Sequence, residues 1–425
     1  MTLFVLFSIF SVLLLLGMPV AFAMGVSATV ALLTISDIPL TLIPQRLFTA
    51  VNSFPLMAVP FFILAGLIMN VGGITRRIVR LSSALVGHLP GGLAQVNVVA
   101  SMLFAGISGS ASADASAIGS MLIPAMVEDG YDAPFSVAVT AASATIGPII
   151  PPSLVMVIYG SMTDMSIGAL FAGGLIPGIL IGLAQMAVVY YYARKRGYSK
   201  GTRAPLRVIL KRFREAAWAL FAPIIILGGI LSGVFTATEA GVVAAVYAFF
   251  VGCFVYREIR LSQIREILVR ATVMTSVPMV ILASASVFGW ILAREQFSSA
   301  LAQMLLRVSG NPQVTFLLIV AILLLVGLFI EALAAMMIFV PVFTPIAAHL
   351  GWDPIHFALV LIVTLLIGTV TPPVGLQLYI AAAIGKVPIS KMGIIWPFVA
   401  AMVLVVVVMV FVPGTVTWVP HLFFR

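Results

Sequence analysis

The chain has little charge, almost no cysteine and few histidines. Of its 425 residues only 8% are charged; 13 are Asp or Glu, four are His and one is Cys. The lone Cys253 lies in an apolar segment, so it offers neither a disulfide framework nor a thiolate metal cage and reads as a small buried hydrophobe. So few charges cannot coat a soluble domain of this length. No Lys or Arg precedes Arg46. The first 23 residues end in "AFA" but lack the basic start of a secretory signal, so 2–35 are expected as two mature helices broken near 17–19. No G-x-x-x-x-G-K-[ST] phosphate loop occurs and the polar loops are short, which excludes a nucleotide-driven pump.

What the chain does have is apolar length. It is 62% hydrophobic with a mean hydropathy of +1.24. Apolar runs of about 17–25 residues, the length a bilayer requires, recur from end to end. They are continuous rather than alternating, which points to an all-α polytopic membrane protein and not a β-barrel. The net charge of +9 is gathered in loops and reads as a topology signal, not a nucleic-acid patch.

The chain repeats itself. At an offset of 221, "GYD" at 130–132 meets "GWD" at 351–353, Gly106 meets Gly327, Pro124 meets Pro345 and Val139 meets Val360. "IGPIIPP" at 146–152 meets "IGTVTPP" at 367–373 in the same register. Upstream the register slips slightly, with "VPFFILA" at 59–65 facing "VPMVILA" at 277–283. Two copies, about 1–192 and 215–425, flank a linker with nine basic residues between 194 and 214. With that linker in the cytoplasm, crossings are expected at 2–16, 18–36, 55–73, 134–162 and 166–192, while 92–128 enters and returns on one side. An odd number of crossings inverts the second copy. The charges agree: 18 of the 22 Lys and Arg residues then fall inside, leaving Arg46, Arg294, Arg307 and Arg425 outside. Both termini are expected in the periplasm.

Inverted repeats with interrupted helices are a mark of secondary transporters, because irregular backbone at membrane depth is tolerated only where protein or a cavity surrounds it. Four interruptions occur. Two are hairpin tips: "AGISGSASADASAIGS" at 105–120, between half-helices at 94–107 and 114–127, and "GLFIEALAA" at 327–335. Two are proline breaks, "TIGPIIPPSL" at 145–154 and "IGTVTPPVGL" at 367–376, where Pro removes a backbone donor and frees carbonyls. Hydroxyls and freed carbonyls suit a sodium ion, and half-helix N-termini suit an anion. Asp114 and Glu331 are the carboxylates placed deepest. Each has three open roles: cap of the half-helix that follows, ion ligand, or proton-coupled group. Glu239, Asp132 and Asp353 read as caps or loop contacts. Segments 38–54 and 257–272 read as helices along the membrane face.

"GISGSASADASAIGSMLIPAM" at 106–126, "ATIGPIIPPS" at 144–153 and "GTVTPPVGLQLY" at 368–379 resemble the large membrane subunit of tripartite ATP-independent periplasmic (TRAP) transporters. "GMPVAFAMG" at 17–25 and "VPFFILAG" at 59–66 fit as well, and the resemblance covers essentially the whole chain. It implies sodium-driven import of an organic anion, such as a C4-dicarboxylate or a sialic acid. It implies no cofactor beyond sodium as coupling ion, and an inner-membrane location. The implied partners are a small four-helix membrane subunit and a periplasmic substrate-binding protein. At 425 residues the chain has no room for the fused small subunit of some members, so that partner is expected as a separate chain. An elevator is implied, with scaffold at 1–54 (including the first arm helix), 163–256 and 385–425, a second arm at 257–275, and a transport domain at 55–162 and 276–384. That domain holds hairpins 92–128 and 312–349 and broken helices 134–162 and 354–384. The matched motif positions carry over as sodium and substrate candidates: Ser108, Gly109, Ser110, Ser112 and Asp114 at the first tip, and Thr145, Gly147 and Pro151 at the first break. In the second half they are Gly327 and Glu331 at the tip, and Gly368, Thr369, Thr371 and Pro372 at the break. The second tip has fewer hydroxyls, so a site there would lean on carbonyls.

Three rivals differ in class. "GISG" at 106–109 matches an intramembrane-protease nucleophile pattern, but all four His lie near interfaces in this topology, away from that serine. A channel needs a continuous polar pore, and only isolated polar breaks are present. A stand-alone sodium/dicarboxylate elevator carrier shares the architecture, and only the motif resemblance separates it from a tripartite system.

Overall fold

The computed structural model describes residues 1–35 and 38–424, without the side chains of Ile107, Ser108 and Leu261. No β-strand occurs among them. The first half runs α1 (Thr2–Leu15), α2 (Val20–Leu33), α3 (Leu42–Val51), α4 (Ala58–Val71), α5 (Ile74–Val86), α6 (Gly92–Ser108), α7 (Ala111–Glu128), α8 (Ala133–Ala144), α9 (Leu154–Thr163) and α10 (Ile167–Arg196). The second runs α11 (Leu206–Leu231), α12 (Ala237–Phe250), α13 (Leu261–Arg294), α14 (Phe297–Val308), α15 (Pro312–Gly327), α16 (Ala332–His349), α17 (Pro354–Gly368), α18 (Leu376–Gly385), α19 (Trp396–Phe411) and α20 (Gly414–Phe423). Among the described residues six helices are long and apolar enough to cross a bilayer, and two bent pairs raise the number to eight. This is an integral membrane protein.

The helix ends fall where the breakers sit. The hairpins α6/α7 and α15/α16 turn at 109–110 and 328–331, and the split helices α8/α9 and α17/α18 open at 145–153 and 369–375. Each split contains a cis Pro–Pro bond, Pro151–Pro152 and Pro372–Pro373. The caps read from sequence are present. Thr236 and Glu239 form a reciprocal capping box on α12, and Asp353 accepts from the His356 amide at 2.8 Å. Asp132 instead pairs with Arg196 and accepts from the Tyr198 hydroxyl at 2.7 Å.

Two regions differ from the sequence reading. Residues 257–272 are not a separate surface helix: from Leu261 they open the 34-residue α13. At 1.5 Å per residue that helix is about 51 Å long, beyond a hydrocarbon core of about 30 Å. In its first turns Ile267 is buried against neighbouring helices while Arg265, Glu266 and Arg270 are exposed, which accounts for the amphipathic pattern. The second difference is a pair of amphipathic helices, α5 and α14, that lead into the hairpins. On α5, Ile74, Ile78 and Leu81 are buried while Arg76 and Arg80 face out. Arg77 of α5 is tied to the loop before α13 by Glu258 at 2.7 Å and lies 3.7 Å over the Tyr256 ring. On the other side, α14 meets α15 at a bend of 118°.

The helices pack in two groups, which meet where α13 lies on α16 and α4 on α6. In one, α4 lies on α12, α13 lies on α2, α3 and α4, and α1 lies on α2. In the other, hairpins and split helices pack on each other: α7 on α8 and α18, α15 and α16 on α17. The helices α10 and α19 join this second group. Helix α10 lies against α6, α8, α9, α17, α19 and α20, and α19 lies mainly against α10 and α17.

Candidate functional site

The first tip and the first break meet. Gly109 turns the chain at φ +59°, and an added Cβ there would sit 2.7 Å from the Pro152 carbonyl oxygen. A Cβ on Gly106 would sit 2.8 Å from the Pro223 side chain of α11 and 3.5 Å from the Pro151 carbonyl oxygen. Ser110 occupies the N-cap position of α7 in an extended conformation, and its hydroxyl lies 3.1 Å from that of Ser112. Ser108 closes α6, with its side chain outside the described residues.

Asp114 does not cap the half-helix, as it would had α7 begun at 115. That helix begins one turn earlier, at Ala111, and the Asp114 amide already bonds the Ser110 carbonyl at 3.1 Å. Its side chain is fully buried, and a carboxylate oxygen rests against the Cα of Gly147, where any Cβ would overlap it. A tip carboxylate and a break glycine, 33 positions apart in sequence, thus form one contact. At the break, the Thr145 hydroxyl donates to the Ala142 carbonyl at 2.7 Å, and that of Ser153 to the Pro148 carbonyl. A hydroxyl that gives its proton to a carbonyl keeps its lone pairs for a cation.

The second tip and break meet through bare backbone. A Cβ on Gly368 would lie 2.5 Å from the Cα of Gly327, and one on Gly327 2.9 Å from the Cα of Gly368. The Thr369 and Thr371 hydroxyls donate to the Leu366 and Ile367 carbonyls at 2.5 and 2.8 Å, and Pro372 begins the cis bond. Here the acid is a cap. Glu331 precedes α16 and accepts from the amides of Leu333 at 2.9 Å and Ala334 at 3.2 Å. Of the roles open to Glu331 the structure thus shows the cap, and at the N-terminus of α16 the Leu333 and Ala334 amides are already taken by a carboxylate.

Both halves open onto one cavity of about 670 Å³. Ser110, Ser112 and Leu154 line it from the first half, and Glu331, Leu333, Ala334 and Leu376 from the second. The opposite wall comes from 19–22 and from 274–281 of α13. No Lys, Arg or His is among its described lining residues. An anion held there would be balanced by helix N-termini and by cations at the tips, not by a basic side chain.

The sequence reading missed what backs the first break. Gly174, Gly178 and Gly182 recur every fourth residue on one face of α10. A Cβ at these positions would run into the Ile149 carbonyl and Met156, into Ile150, and into Met102 respectively. Small residues at that spacing let membrane helices approach closely, and this was a readable signal.

Comparison with known proteins agrees with this architecture. Residues 7–415 match the family "Tripartite ATP-independent periplasmic transporter, DctM component". The chain is 41% identical to the isethionate TRAP transporter permease protein DctMQ of Oleidesulfovibrio alaskensis, covering 96% of this chain but only 65% of that one. It is 42% identical to the sialic acid TRAP transporter large permease protein SiaM of Vibrio cholerae, covering 97% and 96%. It is 36% identical to the C4-dicarboxylate TRAP transporter large permease protein DctM of Rhodobacter capsulatus, covering 99% of both. In fold it resembles the YdaH transporter of Alcanivorax borkumensis, with a TM-score of 0.62 at 14% identity over 88% of this chain and 89% of that one. These relatives are permeases rather than enzymes, and the protease reading of "GISG" falls with that. The chain belongs to the DctM-component family of tripartite ATP-independent periplasmic transporters.

Proposed function

We propose that this protein is the large permease subunit of a sodium-coupled importer of an organic anion. The observation that carries the reading is the shared cavity: both tips and the helices after both breaks face it, yet its described lining holds no basic side chain. An anionic substrate there calls for cations nearby, and hydroxyls and freed carbonyls at the two breaks suit sodium. Candidate ligands and contacts are Ser108, Gly109, Ser110, Ser112, Asp114, Thr145, Gly147 and Pro151 in the first half. In the second they are Gly327, Glu331, Gly368, Thr369, Thr371 and Pro372. The substrates named for its relatives, isethionate, sialic acid and C4-dicarboxylates, set the class to screen.

The partners on this reading are a periplasmic binding protein and a small membrane subunit, and the location is the inner membrane. Transport would proceed as an elevator in an inverted-repeat frame. The packing favours a moving body that takes α10 and α19 along with hairpins and split helices, instead of leaving 166–192 and 393–413 on the scaffold.

The test is uptake in proteoliposomes holding both membrane subunits, with a labelled acid presented on its binding protein. Accumulation is expected only with an inward sodium gradient and with the binding protein present. Uptake of free acid without the binding protein would favour a stand-alone carrier; uptake indifferent to sodium would overturn the coupling. A cysteine placed at position 425 should react with an impermeant maleimide from the periplasmic side, and labelling only from the cytoplasm would invert the topology.

A further inference from the structure

We infer that Gln185 is a positioning residue for the first cation site, an inference that rests on the sodium-coupled reading above. Gln185 lies on α10 on the face that carries Gly174, Gly178 and Gly182, and it is fully buried. Its side-chain amide donates to the Ala142 carbonyl at 2.9 Å. That carbonyl belongs to the last turn of α8, where the helix opens. The Ile146 amide, its regular partner four residues on, bonds Ser143 instead, at 3.0 Å. The oxygen accepts instead from the Thr145 amide at 3.2 Å, from the Thr145 hydroxyl at 2.7 Å, and from Gln185 across the helix interface.

The amide cannot turn over, because its oxygen would then face the Ala142 oxygen. The same Nε2 also reaches the Met402 sulfur at 3.2 Å, and the Thr145 hydroxyl reaches that sulfur at 3.5 Å. Gln185 thus fixes where α8 ends and which way the Thr145 oxygen and the carbonyls beyond it point. The second repeat has no equivalent: at the offset of 221 its counterpart is Val406. The role is specific to the first site.

Gln95 supplies the control. It is also a buried glutamine bonded to α10, with its amide on the Met186 carbonyl at 3.1 Å, but it makes no hydrogen bond to the break. The test compares Gln185→Met and Gln95→Met, each close in size to Gln and each stripped of its donor, in proteoliposome uptake titrated with sodium. In Gln185→Met the half-saturating sodium should rise roughly five- to tenfold, the size of one lost buried hydrogen bond, with the rate at saturating sodium within twofold. In Gln95→Met neither should move. Should Gln185→Met fail to assemble, Gln185→Glu is read the same way, because it sets oxygen against the Ala142 oxygen. Unchanged half-saturation in the Gln185 variant, or equal shifts in both variants, overturns the assignment. Sodium-independent uptake by the unaltered protein would instead overturn the coupling on which it rests.

Discussion

Alanine at Gly368 should all but abolish transport, while alanine at Gly228 should leave it unchanged. The new methyl at 368 falls 2.5 Å from the Cα of Gly327, 2.7 Å from its carbonyl carbon and 3.0 Å from its oxygen. All three are backbone atoms, so no rotamer change relieves the overlap. The second tip must lift from the second break, and the carbonyls that meet there separate. Overpacking of this kind costs about 1–3 kcal/mol. At a factor of ten per about 1.4 kcal/mol, that lowers the ratio of closed to lifted tip roughly five- to 150-fold. Gly228 on α11 has open space where its Cβ would go, so its alanine controls for helix content alone. Initial uptake rates on matched amounts of assembled complex read the difference. A Gly368→Ala protein transporting within twofold of wild type would show that the second tip and break need not touch.

Much of this contact was legible beforehand, because breakers announce themselves. Gly109 and the paired prolines at 151–152 and 372–373 stop helices here, whereas single prolines such as Pro124 and Pro177 lie inside them, so the hairpins and split helices appear within a few residues of their expected ends. Glu331 was readable as a cap because it precedes a clean apolar run. Asp114 misled for the opposite reason: "SASAD" offers Ser110, Ser112 and Asp114 as rival N-caps, and propensity alone does not choose among them. Helix α13 was cut short because periodicity reports a face, not an end; "ATVMTSV" at 271–277 contains no stop signal. In α5 the three arginines were used to orient the chain, which hid the buried Ile74, Ile78 and Leu81 beside them. The partners of α10 were the least legible part. A helix apolar all round shows no preferred face by hydropathy, and only its glycine spacing marks where neighbours come close.

The two carboxylates should separate under charge-neutral substitution, because the structure gives them different work. Glu331→Gln keeps an oxygen for the Leu333 and Ala334 amides, so the α16 cap survives and the assembled protein should unfold within about a degree of wild type. Glu331→Ala removes the cap and should destabilise α16 by about 1 kcal/mol. Asp114→Asn preserves shape but removes a charge that lies fully buried against Gly147. A carboxylate at that depth is costly unless a cation accompanies it. If sodium is that cation, the unaltered protein should be stabilised when sodium replaces potassium, by about 2.7 kcal/mol at a hundredfold excess over its dissociation constant. Asp114→Asn should lose most of that increment together with sodium-driven uptake, whereas Glu331→Gln should keep the greater part of it, the first site being untouched. Thermal unfolding in sodium against potassium, read alongside uptake, decides the matter. An Asp114→Asn protein that keeps the full sodium increment would place the ion elsewhere and leave Asp114 a structural acid at the tip.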